Sequence, residues 1–259
     1  MGGRRLWLLA GGAILLGALG WYGWWVLETR RQADQRLALI QEEESFSDEP
    51  SVEQAAERIR NYSNKIGAAA ASMNPSERKA LFATQRVFAR LAPLMAGYEA
   101  AMDELNDAGG ADPSSLTSLE EIARREKLAR QFQDANRAVT QFYQDLEKNF
   151  RSEINREKLS DSVKTEVAAA FARGASIETN LALREHDRVI AEAVLEVLSM
   201  LRQKWGGWSL QKDGGLTFEQ DAVLGEYLAF QEKIRLHSEL LGKEQAALIG
   251  RAQKGRPSR

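Results

Sequence analysis

The sequence has no cysteine, five prolines, two histidines and almost no net charge, and each shortage removes a class of protein. Without cysteine there is no disulfide framework, thiolate metal site, thiol nucleophile or lipobox residue for bacterial lipidation. Few prolines and long stretches free of turn residues point to an all-α protein. The 35 basic and 37 acidic residues interleave to a formal charge of −2, so no stretch reads as a grip on nucleic acid.

What is present begins with residues 6–27, LWLLAGGAILLGALGWYGWWVL, which hold no charged side chain. At about 1.5 Å per residue this run is long enough to cross a hydrocarbon core of about 30 Å. Arg4 and Arg5 precede it, and Trp21, Tyr22, Trp24 and Trp25 form an interfacial aromatic belt at its far end. Ala18 and Gly20 fit a signal-peptide cleavage site, and removal after Gly20 would leave a soluble secreted helical protein. The apolar run continues past Gly20, which favours an uncleaved signal-anchor. Residues 1–27 are therefore read as N-terminal tail and transmembrane anchor. The expected location is the bacterial inner membrane, single-pass, with the large C-terminal domain on the periplasmic side. Arg30, Arg31 and Arg36 beyond the span weaken the charge asymmetry that would fix this orientation. Within the span, Ala10, Ala13, Gly17 and Gly20 fall at 3-4-3 spacing. They form either a seam for close helix packing or the ordinary small-residue content of a membrane helix.

Residues 28–50 read as a juxtamembrane helix and hinge. The acidic run Glu42, Glu43, Glu44, Asp48 and Glu49 is repelled by anionic headgroups and holds the rest off the bilayer. Residues 51–253 then read as a bundle of about five antiparallel helices. Ser51 and Gln54 make a capping box before a stripe of Val52, Ala55, Ile59, Tyr62, Ile66, Ala69 and Met73. Asn74, Pro75 and Glu77 are an N-cap, a first-turn proline and its reciprocal acid. The second stripe is Leu81, Phe88, Leu91, Met95, Tyr98, Met102 and Leu105, with Pro93 off it and predicted to face solvent.

After the loop at 107–115, Ser118 and Glu121 cap a long third helix with Leu128, Phe132, Ala135, Val139, Phe142, Leu146 and Phe150. It is expected to run unbroken until a kink or restart near Ser160. Ser176 caps a fourth helix with Leu181, Ile190, Val194, Val197, Leu198 and Leu201. The last helix, about 219–252, carries Val223, Tyr227, Phe230, Ile234, His237, Leu241 and Leu248. Residues 254–259 are a basic tail read as disordered.

Between the last two helices, near residues 208–218, two short alternating runs flank Asp213-Gly214-Gly215 and signal a small β-hairpin. A three-residue loop at 213–215 would set Leu210 opposite Phe218 and gather Trp208, Leu210, Leu216 and Phe218 on one face.

Candidate functional residues are few. Trp205 and Trp208, beside Gly206-Gly207, either line a pocket or partner groove or seal the end of the bundle. His186 and His237 lie on or beside apolar stripes. They read as packing, hydrogen-bonding residues, with histidine charging as the alternative. Glu185, Asp187 and Glu239 make no convincing metal-ligand spacing with them. No glycine pair has phosphate-loop spacing, and no serine has a nucleophile-elbow context. The expectation is no catalytic residues, no metal and no cofactor.

MNPSERKALF before a helix ending YEAAMDEL, together with WSLQKDGGLTF before a helix containing EY, resembles the YiaF-like family of small bacterial envelope proteins. The resemblance implies an envelope location and a helical body, and it carries no functional residues. The chain departs from those lipoprotein-like relatives in having no cysteine to lipidate. The functional expectation is a membrane-anchored, non-enzymatic scaffold or interaction protein. Its partners would be the lipid bilayer and either a second copy or another envelope protein. The alternative is a helical-bundle ligand-sensing domain that signals through a partner.

Overall fold

The computed structural model describes residues 74–211 and 215–254. The anchor at 6–27, its seam of Ala10, Ala13, Gly17 and Gly20, the segment 28–50, the stripe ending at Met73 and the tail from 255 all lie outside the described residues. None of the described helices is long and apolar enough to cross a membrane.

The described chain is mostly helical, with one small sheet. Its elements are α1 (Pro75–Asp107), a 3-10 turn (Pro113–Ser115), α2 (Leu119–Gln144), α3 (Leu146–Asn155), α4 (Asp161–Gly174), α5 (Ile177–Gln203), β1 (Trp208–Leu210), β2 (Leu216–Phe218) and α6 (Asp221–Lys254). The start of α1 is a reciprocal capping box. Asn74 Oδ1 accepts from Glu77 N at 2.9 Å, and Asn74 N donates to Glu77 Oε2 at 3.2 Å. Ser118 Oγ accepts from Glu121 N at 3.2 Å at the start of α2. Pro93 is exposed inside α1, where a missing N–H costs least.

The expected long third helix is three helices. It breaks first at Asp145, whose ψ of 1° leaves the helical basin for one residue, so α3 restarts at Leu146. It ends after Asn155, and the restart expected near Ser160 is present, with Ser160 Oγ accepting from Val163 N to start α4. Heptad spacing survives the first break because only one residue is out of line, which is why the apolar stripe reads through it.

The helices divide between two compact units. In the first, the described residues are 74–96, 139–182 and 242–254. Its core includes Leu81, Val87, Leu91, Phe150, Ile154 and Phe171, all at most 1 % exposed. The Phe150 and Phe171 rings stack at 3.9 Å, 2° from parallel. At its edge the Glu153 carboxylate, 5 % exposed, receives Arg86 at 2.8 Å, Arg90 at 3.0 Å and Arg156 at 3.1 Å. Burial alone would raise this carboxyl's pKa. The Arg86 hydrogen bond and the charges of Arg156, Arg90 and Arg86 outweigh it and hold the value below normal.

The second unit comprises Gly97–Ala138 and Leu183–Leu241. Its loop at 108–116 is pinned by Arg125, a side chain 1 % exposed. That guanidinium pairs with Glu121 at 3.0 Å and donates to the carbonyls of Asp112 and Gly110 and to Ser115 Oγ. Gly109 sits directly against it with φ +96°. A Cβ there would meet the Arg125 guanidinium at 3.0–3.1 Å.

The hairpin forms with a different register. Trp208 opposes Phe218 and Leu210 opposes Leu216, so Leu210 does not face Phe218. Gln211 N donates to Gly215 O at 2.8 Å, which carries the pairing one step beyond Leu210–Leu216. A slip of two residues preserves the side-chain alternation, so Trp208, Leu210, Leu216 and Phe218 still share a face. That face is only partly covered: Leu210 is 41 % exposed.

Candidate functional site

The second unit buries charge. On α5, Arg184 and Asp187 are one turn apart, and both side chains are 0 % exposed. Their separation is 3.2 Å from Arg184 Nη1 to Asp187 Oδ2. The same Asp187 oxygen accepts from the Tyr98 hydroxyl of α1 at 2.9 Å. The Arg184 guanidinium carbon lies 4.2 Å from the centre of the Tyr98 ring, so cation–π attraction adds to the ion pair. The Phe132 ring of α2 packs 5.4 Å from Tyr98, and Asn136 Nδ2 donates to the Arg184 carbonyl at 2.8 Å. Three helices thus converge on one salt-bridged aromatic cluster.

Its electrostatics follow from burial. Desolvation lifts the Asp187 carboxyl above its usual range, despite Arg184 and the Tyr98 hydrogen bond pulling the other way. Tyr98 is pushed far up, first by burial and then by the Asp187 charge, and Arg184 opposes this. Next along α1, Glu99 is 2 % exposed and is raised to about 7 by burial and by Asp103, against the pull of Arg184. Glu99 Oε1 and Asp187 Oδ1 have no hydrogen-bond partner among the described residues. A carboxyl poised near neutrality beside a buried ion pair is the kind of group that collects at functional sites.

The two histidines come together. His186 Nδ1 on α5 and His237 Nδ1 on α6 are 3.0 Å apart, with ring centroids at 5.2 Å and planes tilted by 60°. Burial, the His186 ring and Lys233 depress the His237 pKa, with Arg188 adding and Glu185 opposing. Glu185 is itself held by Arg188 at 2.6 and 2.8 Å. Among the described residues no group of three or more His, Cys, Asp or Glu is placed to hold a metal ion.

Trp205 and Trp208 also meet, edge to face at 5.3 Å. Trp208 donates Nε1–H to the Leu201 carbonyl at 2.9 Å and is half-buried. Trp205 is 41 % exposed and is followed by a glycine turn at Gly206, φ +88°.

Sequence reasoning placed Tyr98 on a core stripe but missed Glu99, Asn136, Arg184 and Asp187. The signal was a gap. The α5 stripe jumps nine residues from Leu181 to Ile190, and Asp187 fills the missing inward position between Leu183 and Ile190. Comparison of the chain with family models, curated proteins and solved structures gives no match.

Proposed function

We propose that this chain is a membrane-anchored, non-enzymatic scaffold of the bacterial envelope, tethered by residues 6–27 with its helical body on the extracytoplasmic side. The observation that supports it most is the state of α6. Its stripe of Tyr227, Phe230, Ile234 and His237, which the sequence pattern marks as a core seam, is only half-covered. Leu228 and Leu236 beside it are 55 % and 45 % exposed. An amphipathic helix with a part-open apolar stripe is suited to being completed by another protein surface or by a second copy. The resemblance of the MNPSERKALF and WSLQKDGGLTF segments to YiaF-like proteins supports the same location.

The test is photo-crosslinking of the full-length chain in native membranes from positions 228 and 234, with Arg137 on α2 as an exposed control. A discrete product from α6 positions alone supports the scaffold, and monomer from every position overturns it.

A second reading, ligand sensing, is favoured by the buried Tyr98–Arg184–Asp187 cluster and its neighbour Glu99. A thermal-shift screen of small envelope metabolites separates the two. Stabilisation abolished by Glu99→Gln would favour sensing, and a broad screen without a hit would end that reading.

A further inference from the structure

The geometry of the two histidines decides what they do. A ring nitrogen lies about 1.15 Å from the centre of an imidazole, so two nitrogens meeting head-on at this separation put the centroids about 5.3 Å apart. Two imidazoles sharing one metal at about 2.05 Å with the same nitrogen spacing would have centroids about 4.7 Å apart. The observed 5.2 Å is the head-on value. The contact is therefore an N–H···N hydrogen bond, and it requires one Nδ1 to carry a proton and the other to be bare.

We propose that His186 and His237 form a one-proton clasp that ties α6 to α5 within the second unit and opens when a second proton arrives. In the neutral pair one ring is the Nδ1–H tautomer and donates to the bare Nδ1 of its partner, which keeps its proton on Nε2. A first added proton binds the unprotonated Nε2 of the donor ring. That ring becomes imidazolium, and the hydrogen bond stays intact and gains charge assistance. A second added proton can only go to the accepting Nδ1. It sets two N–H groups and two positive rings against each other, so the clasp separates.

The charged groups around the pair bias these steps. On α5, Glu185 favours the singly charged state, while Arg188 opposes further charging, and the Asp187 carboxylate is close enough to feel His186. On α6, Lys233 disfavours charge on His237. Three of the four α6 residues that the sequence pattern assigns to the seam around the clasp are aromatic or aliphatic, namely Tyr227, Phe230 and Ile234. Opening would therefore expose apolar surface. This clasp does not depend on the scaffold reading.

The chain has only these two histidines, so selective 15N-histidine labelling of the full-length protein in micelles yields just four ring nitrogens. At pH 7.5 one Nδ1 should be protonated and the other bare. On acidification one ring should charge at least tenfold in proton concentration before the other. Amide protection across residues 230–241, corrected for the intrinsic pH dependence of exchange, should fall at least fivefold only at the second step, and His237→Phe should abolish that step. Two identical Nε2–H tautomers titrating together would overturn the proposal. So would pH-dependent exchange that is the same in His237→Phe, or stoichiometric zinc or nickel capture that moves both Nδ1 signals at neutral pH. The tautomer measurement uses the unmodified chain, so poor folding of the variant leaves the clasp testable.

Discussion

Replacing Asp187 with leucine should be among the most damaging single changes in the second unit, and the structure gives the size of the effect. The substitution strands the Arg184 guanidinium, 0 % exposed, without its carboxylate, and it deprives the Tyr98 hydroxyl of its acceptor. A guanidinium cannot neutralise itself by losing a proton, so the loss of Asp187 is not relieved in that way. Breaking a buried pair from one side costs about 3–5 kcal/mol. With a urea dependence of about 2 kcal/mol per molar, the unfolding midpoint should fall by about 1.5–2.5 M. The converse change, Arg184→Met, strands a carboxylate whose pKa burial already raises. An acid whose folded pKa lies above its unfolded value is penalised above that pKa and relieved as pH falls through it. The Arg184→Met deficit should therefore shrink between pH 8 and pH 5, whereas the Asp187→Leu deficit should not. The double variant removes both charges and should recover most of the loss. Urea unfolding followed by far-ultraviolet circular dichroism measures all three. Single losses under about 1 kcal/mol, or a double variant as unstable as the sum of the singles, would refute the account.

The other predictions concern single positions. Glu99→Gln should stabilise the chain at pH 8 by about 2–3 kcal/mol, because a buried carboxyl raised to about 7 opposes folding when ionised. That gain should fade as pH drops below 7 and vanish below the unfolded carboxyl value, as a melting series across pH would show. Glu153→Gln should cost only about 1–2 kcal/mol, since Arg86, Arg90 and Arg156 are 43–70 % exposed and return to water. The folded pKa of Glu153 is depressed, so this stabilisation is complete above the unfolded carboxyl value and lost as pH falls through the folded one. The wild-type advantage should disappear in acid. Gly109→Ala should destabilise by about 2–3 kcal/mol, combining a φ of +96° with a Cβ driven into Arg125. Equal melting temperatures for the alanine variant and the parent would show that the loop relaxes freely.

What the sequence made legible is governed by locality. The cap at Asn74, the cap at Ser118 and the exposed Pro93 are set by residues within four positions of one another, the shared face of the hairpin by residues within ten, and each stands as read. The hairpin register and the break at Asp145 were not read, since the apolar stripe stays in phase across Asp145, whereas the restart capped by Ser160 stands as read. The charged core left one local trace, the gap in the α5 stripe. Heptad reading sends Arg125, Glu126, Arg184 and Asp187 outward by residue type, yet at most 6 % of each is exposed. Their partners lie on other turns and helices, as with Tyr98 for Asp187 and Arg202 for Glu126 at 3.0 Å.

The two units use charge differently, and this bears on function. In the first, Glu153 is buried but its three arginines reach solvent, so the cluster trims an edge at little cost. In the second, both members of the Arg184–Asp187 pair are fully enclosed, and such a pair adds little stability over apolar residues of the same volume. Stability over an apolar core therefore does not account for the pair, and two other roles are available. Tyr98 from α1 and Asn136 from α2 both bind the α5 segment at fixed places, which specifies helix register. Glu99, ionised at a cost near neutral pH, instead suits a cluster whose charge changes on binding. A double Arg184→Met, Asp187→Leu variant separates them. If register is the role, the variant should melt without cooperativity and lose sharp amide dispersion even where its helix content is normal. If the variant is stable and well ordered, the enclosed charges serve binding, and Glu99 becomes the first residue to follow by titration.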